Sequence, residues 1–214
     1  MAPNCLNMKF LASLISSFSV MAASLMSQAE SPNFVVVYMD DLGWADSSVP
    51  MIEGQANTRS DFYQTPGLER LAREGMVLSD AYSPAPVCTP SRNAMLHGMT
   101  PARMLNATLN TKRSFEEYRG KITIPQALKQ ANPNYITAHF GKWHIPAVSP
   151  VKAGYDVTEN DKGTGNGEGD FLDDMKTFLP EEDPKRIFSL TDMTKEFIAE
   201  QVEAERPFFV QLSH

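Results

Sequence analysis

Apolar residues recur along the chain with two different spacings, one typical of strands and the other typical of helices. The segment NFVVVYMDD (33–41) is an unbroken β-branched and aromatic run that ends on two acids. This composition predicts a central strand buried on both faces of a sheet. The segment TPGLERLAREGM (65–76) has helical spacing, with Thr65 as the expected N-cap and Gly75 as the expected end.

The same alternation continues towards residue 214. The pattern predicts four more elements, in the order helix, strand with loop, helix and strand: TIPQALKQA (123–131), YITAHFGKWH (135–144), TDMTKEFIAEQVEA (191–204, capped by Thr191 or Asp192) and PFFVQLSH (207–214). The glycine-rich DKGTGNGEGD (161–170) is predicted to be a long loop. Alternating strands and helices predict an α/β fold with a parallel sheet.

The first 29 residues have a different character. Lys9 is the sole charge before Glu30, and the apolar run that follows Lys9 closes on Ser27-Gln28-Ala29, a small-x-small cleavage pattern. These features predict a secretory signal peptide over 1–29 and a single domain over 30–214. The alternative is a membrane anchor, but serines interrupt the run and it falls short of the ~20 strongly apolar residues of a span. We therefore expect an exported protein, periplasmic or extracellular, with no stable membrane span.

Charge and cysteine content narrow the classes of partner. The chain has 19 Lys and Arg against 26 Asp and Glu, so cleavage after residue 29, which removes Lys9, leaves a formal charge of −8. This charge disfavours nucleic acid or an anionic surface as the partner. Of the two cysteines, Cys5 lies in the predicted signal peptide, which leaves Cys88 without a partner for an intramolecular disulfide.

Charged residues follow two of the predicted strands. Asp40 and Asp41 follow the first strand, and Lys142 and His144 follow the second. In open α/β sheets, ligands bind beyond the carboxyl ends of the strands. The acidic pair is therefore either a turn cap or a divalent-cation site. In an extended segment Lys142 and His144 would point to the same side, towards one ligand; the alternative is a surface loop.

Cys88 lies in the segment PAPVCTPSRNAMLHG (84–98), where SRNAML is able to begin a helix with Pro90 in its first turn. The amides at that helix start would point at an anion held at Cys88. Arg92 would add a planar, forked cation nearby. The alternative is that Cys88 is a small buried hydrophobe.

CTPSRNAMLHG resembles the signature of the sulfatases, in which C-x-P-S-R directs oxidation of the cysteine to Cα-formylglycine. NFVVVYMDDLGW, TPGLERLAREGMVLSDAYS and TAHFGKWHI are similar to the first strand, first helix and second active-site segment of that family, and RPFFVQLSH resembles a later strand. The resemblance implies an alkaline-phosphatase-like α/β fold: a mixed, mostly parallel sheet flanked by helices. Residues 30–214 would then be the N-terminal part of the catalytic domain, ending before the sheet and the C-terminal domain are complete.

The resemblance also implies a sulfuric ester hydrolase and assigns roles to individual residues. Asp40, Asp41 and the formylglycine at 88 would bind calcium, with magnesium as the alternative ion. The aldehyde would hydrate to a geminal diol. One hydroxyl would attack sulfur and expel the alcohol, and deprotonation of the other by His144 would then collapse the sulfated intermediate to aldehyde and sulfate. Arg92 would hold the formylglycine oxygens and Lys142 a sulfate oxygen.

The expected partners are a small-molecule or saccharide sulfate ester and a formylglycine-generating maturation enzyme. The family's second pair of metal ligands and its second lysine would lie beyond residue 214. His214 lies near the place of the family's leaving-group histidine, just before it. Two other functions stay open: a truncated or inactive sulfatase-like protein that binds an anion or another chain, and a hydrolase of phosphate or phosphonate esters.

Overall fold

The computed structural model describes residues 31–105, 121–146, 148–159, 183 and 186–214. All of its helices and strands belong to the unit Asn33–His214. In chain order they are β1 (Phe34–Tyr38), a short 3-10 helix (Ala56–Thr58), α1 (Pro66–Glu74), α2 (Cys88–His97), α3 (Pro101–Met104), α4 (Ile124–Ala131), β2 (Ile136–Gly141), β3 (Val157–Thr158), α5 (Ile187–Glu203) and β4 (Phe208–Ser213).

The four strands form one sheet in the order β1-β4-β2-β3, and every neighbouring pair is parallel. One face carries the cluster that includes Phe140 and Val210 of the sheet and Phe197 of α5. The opposite face carries Trp143, Tyr155 and other apolar residues of the second cluster. A parallel sheet covered by helices confirms the α/β fold class predicted from the alternation of elements.

Strand β1 differs from the sequence prediction in its burial. Among the described residues it pairs only with β4, and Val35 and Val37 are each 52% exposed. The unbroken apolar run therefore correctly predicts the strand, but the prediction that it is buried on both faces is wrong for the part of the chain described. The apolar run predicts a strand whose two faces are suited to burial. Contacts with other segments of the chain decide whether those faces are buried.

The helix starts combine confirmed and incorrect predictions. Helix α1 begins after Thr65 as predicted, although the Thr65 hydroxyl accepts the amide of Ser48 rather than a helix amide. Helix α5 begins at Ile187, before the predicted caps at Thr191 or Asp192. The reason is Asp183, whose carboxylate accepts the amide hydrogens at the helix start, including that of Ser189 at 2.9 Å, and so takes the role of a cap.

The predicted signal peptide (1–29) and the predicted loop at 161–170 lie outside the described residues. Within the described ranges, no helix combines the length and the apolar character that a membrane crossing requires.

Candidate active site

A cleft of about 970 Å³ opens where the carboxyl ends of β1 and β2 approach the start of α2. It is lined by Asp40 and Asp41 after β1, by Cys88 and Ser91 of α2, and by Lys142 after β2. The rest of its wall is largely apolar and includes Leu42, Tyr82, Pro84, Val87, Met95 and Met99. The cleft therefore lies beyond the carboxyl ends of the strands, where a ligand site is expected in an open parallel sheet.

Strand β4 brings the two charged segments together. Ser213 is in register with Tyr38 of β1 on one side and with Gly141 of β2 on the other. Beyond these positions the amide of Asp40 donates to the carbonyl of His214, and the amide of Lys142 donates to the carbonyl of Ser213. Asp40 and Lys142 therefore leave the sheet at the same level.

Gly141 has a φ of +87°, a backbone conformation that side-chain-bearing residues rarely adopt. A Cβ atom at this position would lie 2.0 Å from the carbonyl oxygen of Ser213. Glycine is therefore required for the chain to turn from β2 into the segment that carries Lys142.

Arg92 connects its own helix, α2, with the segments that follow β1 and β2. Its Nη2 donates to Asp40 Oδ1 at 2.9 Å, its Nη1 donates to the carbonyl of Lys142, and its guanidinium lies 4.9 Å from the centre of the Tyr38 ring. The residue is only 3% exposed. A planar fork with several donors suits this position, whereas a lysine ammonium at the same place would be a single point charge.

The carboxylate of Asp40 faces two cations, because Lys142 Nζ pairs with its second oxygen. Burial alone would raise the pKa of Asp40, but the hydrogen bonds from Lys142 and Arg92 outweigh that effect and lower the pKa below its usual value. Asp40 is therefore ionised at neutral pH. Asp41 is exposed and has a φ of 57°, which places it in the left-handed region.

Cys88 is the first residue of α2, so Pro90 lies in the first turn of the helix as predicted. It is a half-buried free cysteine. Ser91 holds the preceding loop, because its hydroxyl donates to the carbonyl of Ala85 at 2.8 Å. The residue-88 side chain therefore projects from the first turn of a helix, where backbone amides favour negative charge.

His144 is placed differently from the other candidates. Its φ of 47° departs from the extended geometry on which the predicted common orientation with Lys142 depends. His144 is not among the described residues that line the cleft. It is connected to α2 through its backbone, since the Thr89 hydroxyl donates to its carbonyl at 3.0 Å.

The donor chemistry at the cleft fits a hard divalent cation. Asp40 and Asp41 supply carboxylate oxygens, and residue 88 lines the same space. Both Asp40 oxygens are paired with Arg92 and Lys142 in this arrangement, so a metal ion would compete with these two cations. Among the described residues, no group of three or more His, Cys, Asp or Glu side chains converges on a metal position. The described residues thus offer part of a ligand set.

Comparison with known proteins identifies the family of the chain. A family model described as "Sulfatase" matches residues 32–214. The chain belongs to the sulfatase family. This sulfatase chain is 34% identical over 155 residues to N-acetylgalactosamine-6-sulfatase of Mus musculus and 34% identical over 137 residues to arylsulfatase A of Homo sapiens.

The matched regions cover 67% and 61% of the sulfatase chain but only 27% and 24% of these two relatives. The chain therefore spans about a quarter of the length of the relatives it matches. Among solved structures, Ps i-CgsB has a TM-score of 0.62 at 23% identity, covering 86% of this chain and 45% of that one. A chain from work on glycosaminoglycan metabolism by Bacteroides thetaiotaomicron also has a TM-score of 0.62, at 21% identity, covering 87% of this chain and 51% of that one. At these identities the likeness concerns the fold.

Sequence reasoning missed two residues that organise the cleft. Tyr38 packs its ring under Arg92, and Thr89 bonds to the carbonyl of His144. In the sequence Tyr38 is one more residue of an apolar strand pattern, and Thr89 occupies the variable position of C-x-P-S-R. Only their spatial neighbours show their roles.

Proposed function

We propose that this sulfatase chain takes part in hydrolysis of a sulfate ester, with residue 88, oxidised from cysteine to Cα-formylglycine, as the nucleophile. The observation that carries the proposal is that Asp40, Asp41, Cys88 and Lys142, from three separate segments, line one cleft. The names of the relatives, an amino-sugar sulfatase and an arylsulfatase, support a sulfated carbohydrate or aryl alcohol as substrate.

Formylglycine at residue 88 would supply a geminal diol. One hydroxyl would attack sulfur and expel the alcohol, and deprotonation of the second would then collapse the sulfated intermediate to the aldehyde and sulfate. The position of residue 88 in the first turn of α2 favours this chemistry, since the free amides there stabilise developing negative charge. The loop held by Ser91 keeps the residue at the wall of the cleft.

Lys142 and Arg92 are the proposed charge stabilisers. The ammonium of Lys142 lines the cleft and would contact a sulfate oxygen, where it offsets the charge that grows as the ester bond breaks. Arg92 keeps Lys142 in place through the backbone carbonyl and would hold the oxygens of residue 88. His144, tied to α2 through Thr89, is the proposed base for the second hydroxyl.

Asp40, Asp41 and residue 88 would hold a divalent cation, calcium with magnesium as the alternative. The ion would offset negative charge on the sulfate oxygens. The proposal also includes a formylglycine-generating enzyme as maturation partner and an exported location, for which residues 1–29 stay a predicted signal peptide.

The modification can be tested directly on the full-length protein, produced together with a formylglycine-generating enzyme. Peptide mass spectrometry across residues 74–92 should show that an aldehyde oxygen replaces the thiol sulfur of Cys88. An aryl sulfate should be hydrolysed by this protein and not by the matched Cys88→Ala variant. An unmodified thiol together with absent turnover would contradict the proposal, as would hydrolysis of an aryl phosphate with none of the sulfate.

The cation site can be tested at Asp41. Asparagine tolerates a positive φ, so Asp41→Asn removes the charge while it keeps the backbone conformation. Calcium should raise the melting temperature of the wild-type protein, because a ligand that binds only the folded state stabilises it by about 2.7 kcal/mol at 100 times its Kd.

That calcium-dependent shift should disappear in Asp41→Asn and persist in the control Asp46→Asn, an exposed acid five residues away. The shift is measured by thermal denaturation with and without chelator. An equal shift in both variants would show that Asp41 has a structural role in the turn and does not bind the cation.

A further inference from the structure

A chain of buried polar side chains lies beneath the candidate active site. The Tyr155 hydroxyl donates to Gln211 Oε1 at 2.9 Å, and Gln211 Nε2 donates to Ser213 Oγ at 3.2 Å. Ser213 Oγ in turn lies 3.5 Å from Nε2 of His139. All four residues are buried, so each of these polar groups depends on its protein partners.

This chain connects two neighbouring rows of the sheet. His139 is in register with Gln211, and two positions further along Gly141 is in register with Ser213. Residues two apart on a strand share a face, so His139, Gln211 and Ser213 lie on one side of β2 and β4. Gly141 is the residue directly before Lys142, which places the polar chain one row below the cleft.

Trp143 lies between the polar chain and the proposed catalytic residues. Its ring meets that of His139 edge-on at 4.9 Å and 85°, and that of Tyr155 at 5.8 Å and 89°. Its indole nitrogen donates to the carbonyl of Val148 at 2.6 Å. Trp143 is 4% exposed, and its neighbours in sequence are Lys142 and His144. A shift of the indole ring would therefore move the backbone of both.

The direction of hydrogen bonding favours one protonation state of His139. Ser213 Oγ accepts from Gln211, so its own hydrogen can go to Nε2 of His139, which must then carry no proton. The imidazole would be neutral, with its hydrogen on Nδ1. Burial above all, and then the positive charge of Arg92, lower the pKa of His139 to about 3, in agreement with a neutral ring.

We propose that His139 is a positioning residue: a neutral imidazole, oriented by the Tyr155–Gln211–Ser213 chain, that supports Trp143 and so holds Lys142 and His144 in place. The assignment rests on the proposed function as far as the roles of Lys142 and His144 are concerned. His139 touches no reacting atom and acts through Trp143.

The orientation of His139 can be measured without any turnover. In the full-length protein labelled with 15N-histidine, and assigned through a His139→Gln variant, the two imidazole nitrogens should show the neutral ring with its hydrogen on Nδ1. Tyr155→Phe removes one hydroxyl at the far end of the chain and should shift these signals. A hydrogen on Nε2, or an imidazolium, would overturn the proposed direction of the chain.

The positioning role needs a variant matched in burial. His139→Leu removes the ring and the acceptor, whereas Phe140→Leu removes a ring from the next residue of β2, which packs on the opposite face. With an aryl sulfate as substrate, His139→Leu should lower kcat by about 10- to 100-fold, the range expected for a displacement of catalytic groups by up to ~1 Å. Phe140→Leu should lower the melting temperature without this loss of kcat, both measured well below melting. Equal losses of kcat in the two variants would show that His139 has only a structural role.

The indole NH signal of Trp143 separates this proposal from the proposed function. It should shift in His139→Leu and stay in place in Phe140→Leu, whether or not residue 88 is modified. If the wild-type protein shows no turnover but the indole signal shifts in His139→Leu, the sulfatase function is refuted and the proposal that His139 supports Trp143 is retained. An unchanged indole signal would refute the support of Trp143 even in an active enzyme.

Discussion

Arg92 shows how one residue can organise a site whose parts come from distant segments. It contacts Asp40 and Lys142, 52 and 50 residues away in the chain, and its side chain is 2% exposed. Removing Arg92 leaves Asp40 with Lys142 as its one cationic partner and takes the buried donors away from Asp40 Oδ1 and from the carbonyl of Lys142. The stability of this region and the order of the site should therefore depend on the same side chain.

We predict that Arg92→Met, which keeps a long apolar side chain but removes the charge, lowers the free energy of unfolding by about 3 kcal/mol. The matched control is Arg70→Met. Arg70 pairs with Glu74 four residues along α1, but both side chains are more than half exposed, so the change should be less than about 0.5 kcal/mol. Urea denaturation of the two variants checks the difference. Similar values for both would show that the buried pair contributes no more than a surface pair.

At the scale of elements, the contact between the C-terminal ends of β2 and β4 sets the geometry of the cleft. The amide of Lys142 donates to the carbonyl of Ser213, and the left-handed turn at Gly141 makes room for that carbonyl. Hydrogen bonds of the parallel ladder hold both strands up to this point. The position of Lys142 is therefore a consequence of strand pairing.

We predict that Gly141→Ala destabilises the protein by more than about 4 kcal/mol, because the methyl group meets backbone on a neighbouring strand and the φ is unfavourable. The control is Gly67→Ala in α1, where a Cβ would meet nothing within 4 Å. That variant should gain about 0.5–1 kcal/mol from the higher helix propensity of alanine. Thermal and urea denaturation compare them; a Gly141→Ala variant as stable as wild type would mean that the strand ends adjust freely.

At the scale of the whole molecule, the edges of the sheet differ in exposed apolar surface. Strand β1 has five residues, and among the described residues it pairs on one side only, with Val35 and Val37 half exposed. Strand β3, at the other edge, has two residues. Long apolar edges pair with other chains more readily than short ones.

We predict that the unit 33–214, prepared alone, self-associates through β1. Val37→Lys should shift it towards the monomer in size-exclusion chromatography with light scattering, because a charge on an edge strand opposes pairing with another chain. Val157→Lys on β3 is the control and should change association little. An equal effect of both substitutions would show that net charge, rather than the β1 edge, governs association.

Much of the local structure was predictable from the sequence because it depends on near neighbours. The run 34–38 forms a strand, and α4 forms within the segment 123–131 predicted as a helix, where a capping box of Thr123 with Gln126 begins it. The start of α5 was not predictable, since its amides are satisfied by Asp183, which lies outside the amphipathic pattern. Charged residues after strands pointed to the candidate site, and their roles stay predictions.

The sequence by itself determined the alternation of strands and helices and the family motifs, because spacing, caps and glycines act over a few residues. Only the tertiary structure decided that β4 lies between β1 and β2, since strand order depends on contacts between segments far apart in the chain. This order brings Asp40 to Lys142 and Arg92, and it places His139 below Trp143. Burial follows the same rule: β1 carries a run suited to a central strand, but its exposure is set by which surfaces find a partner in space.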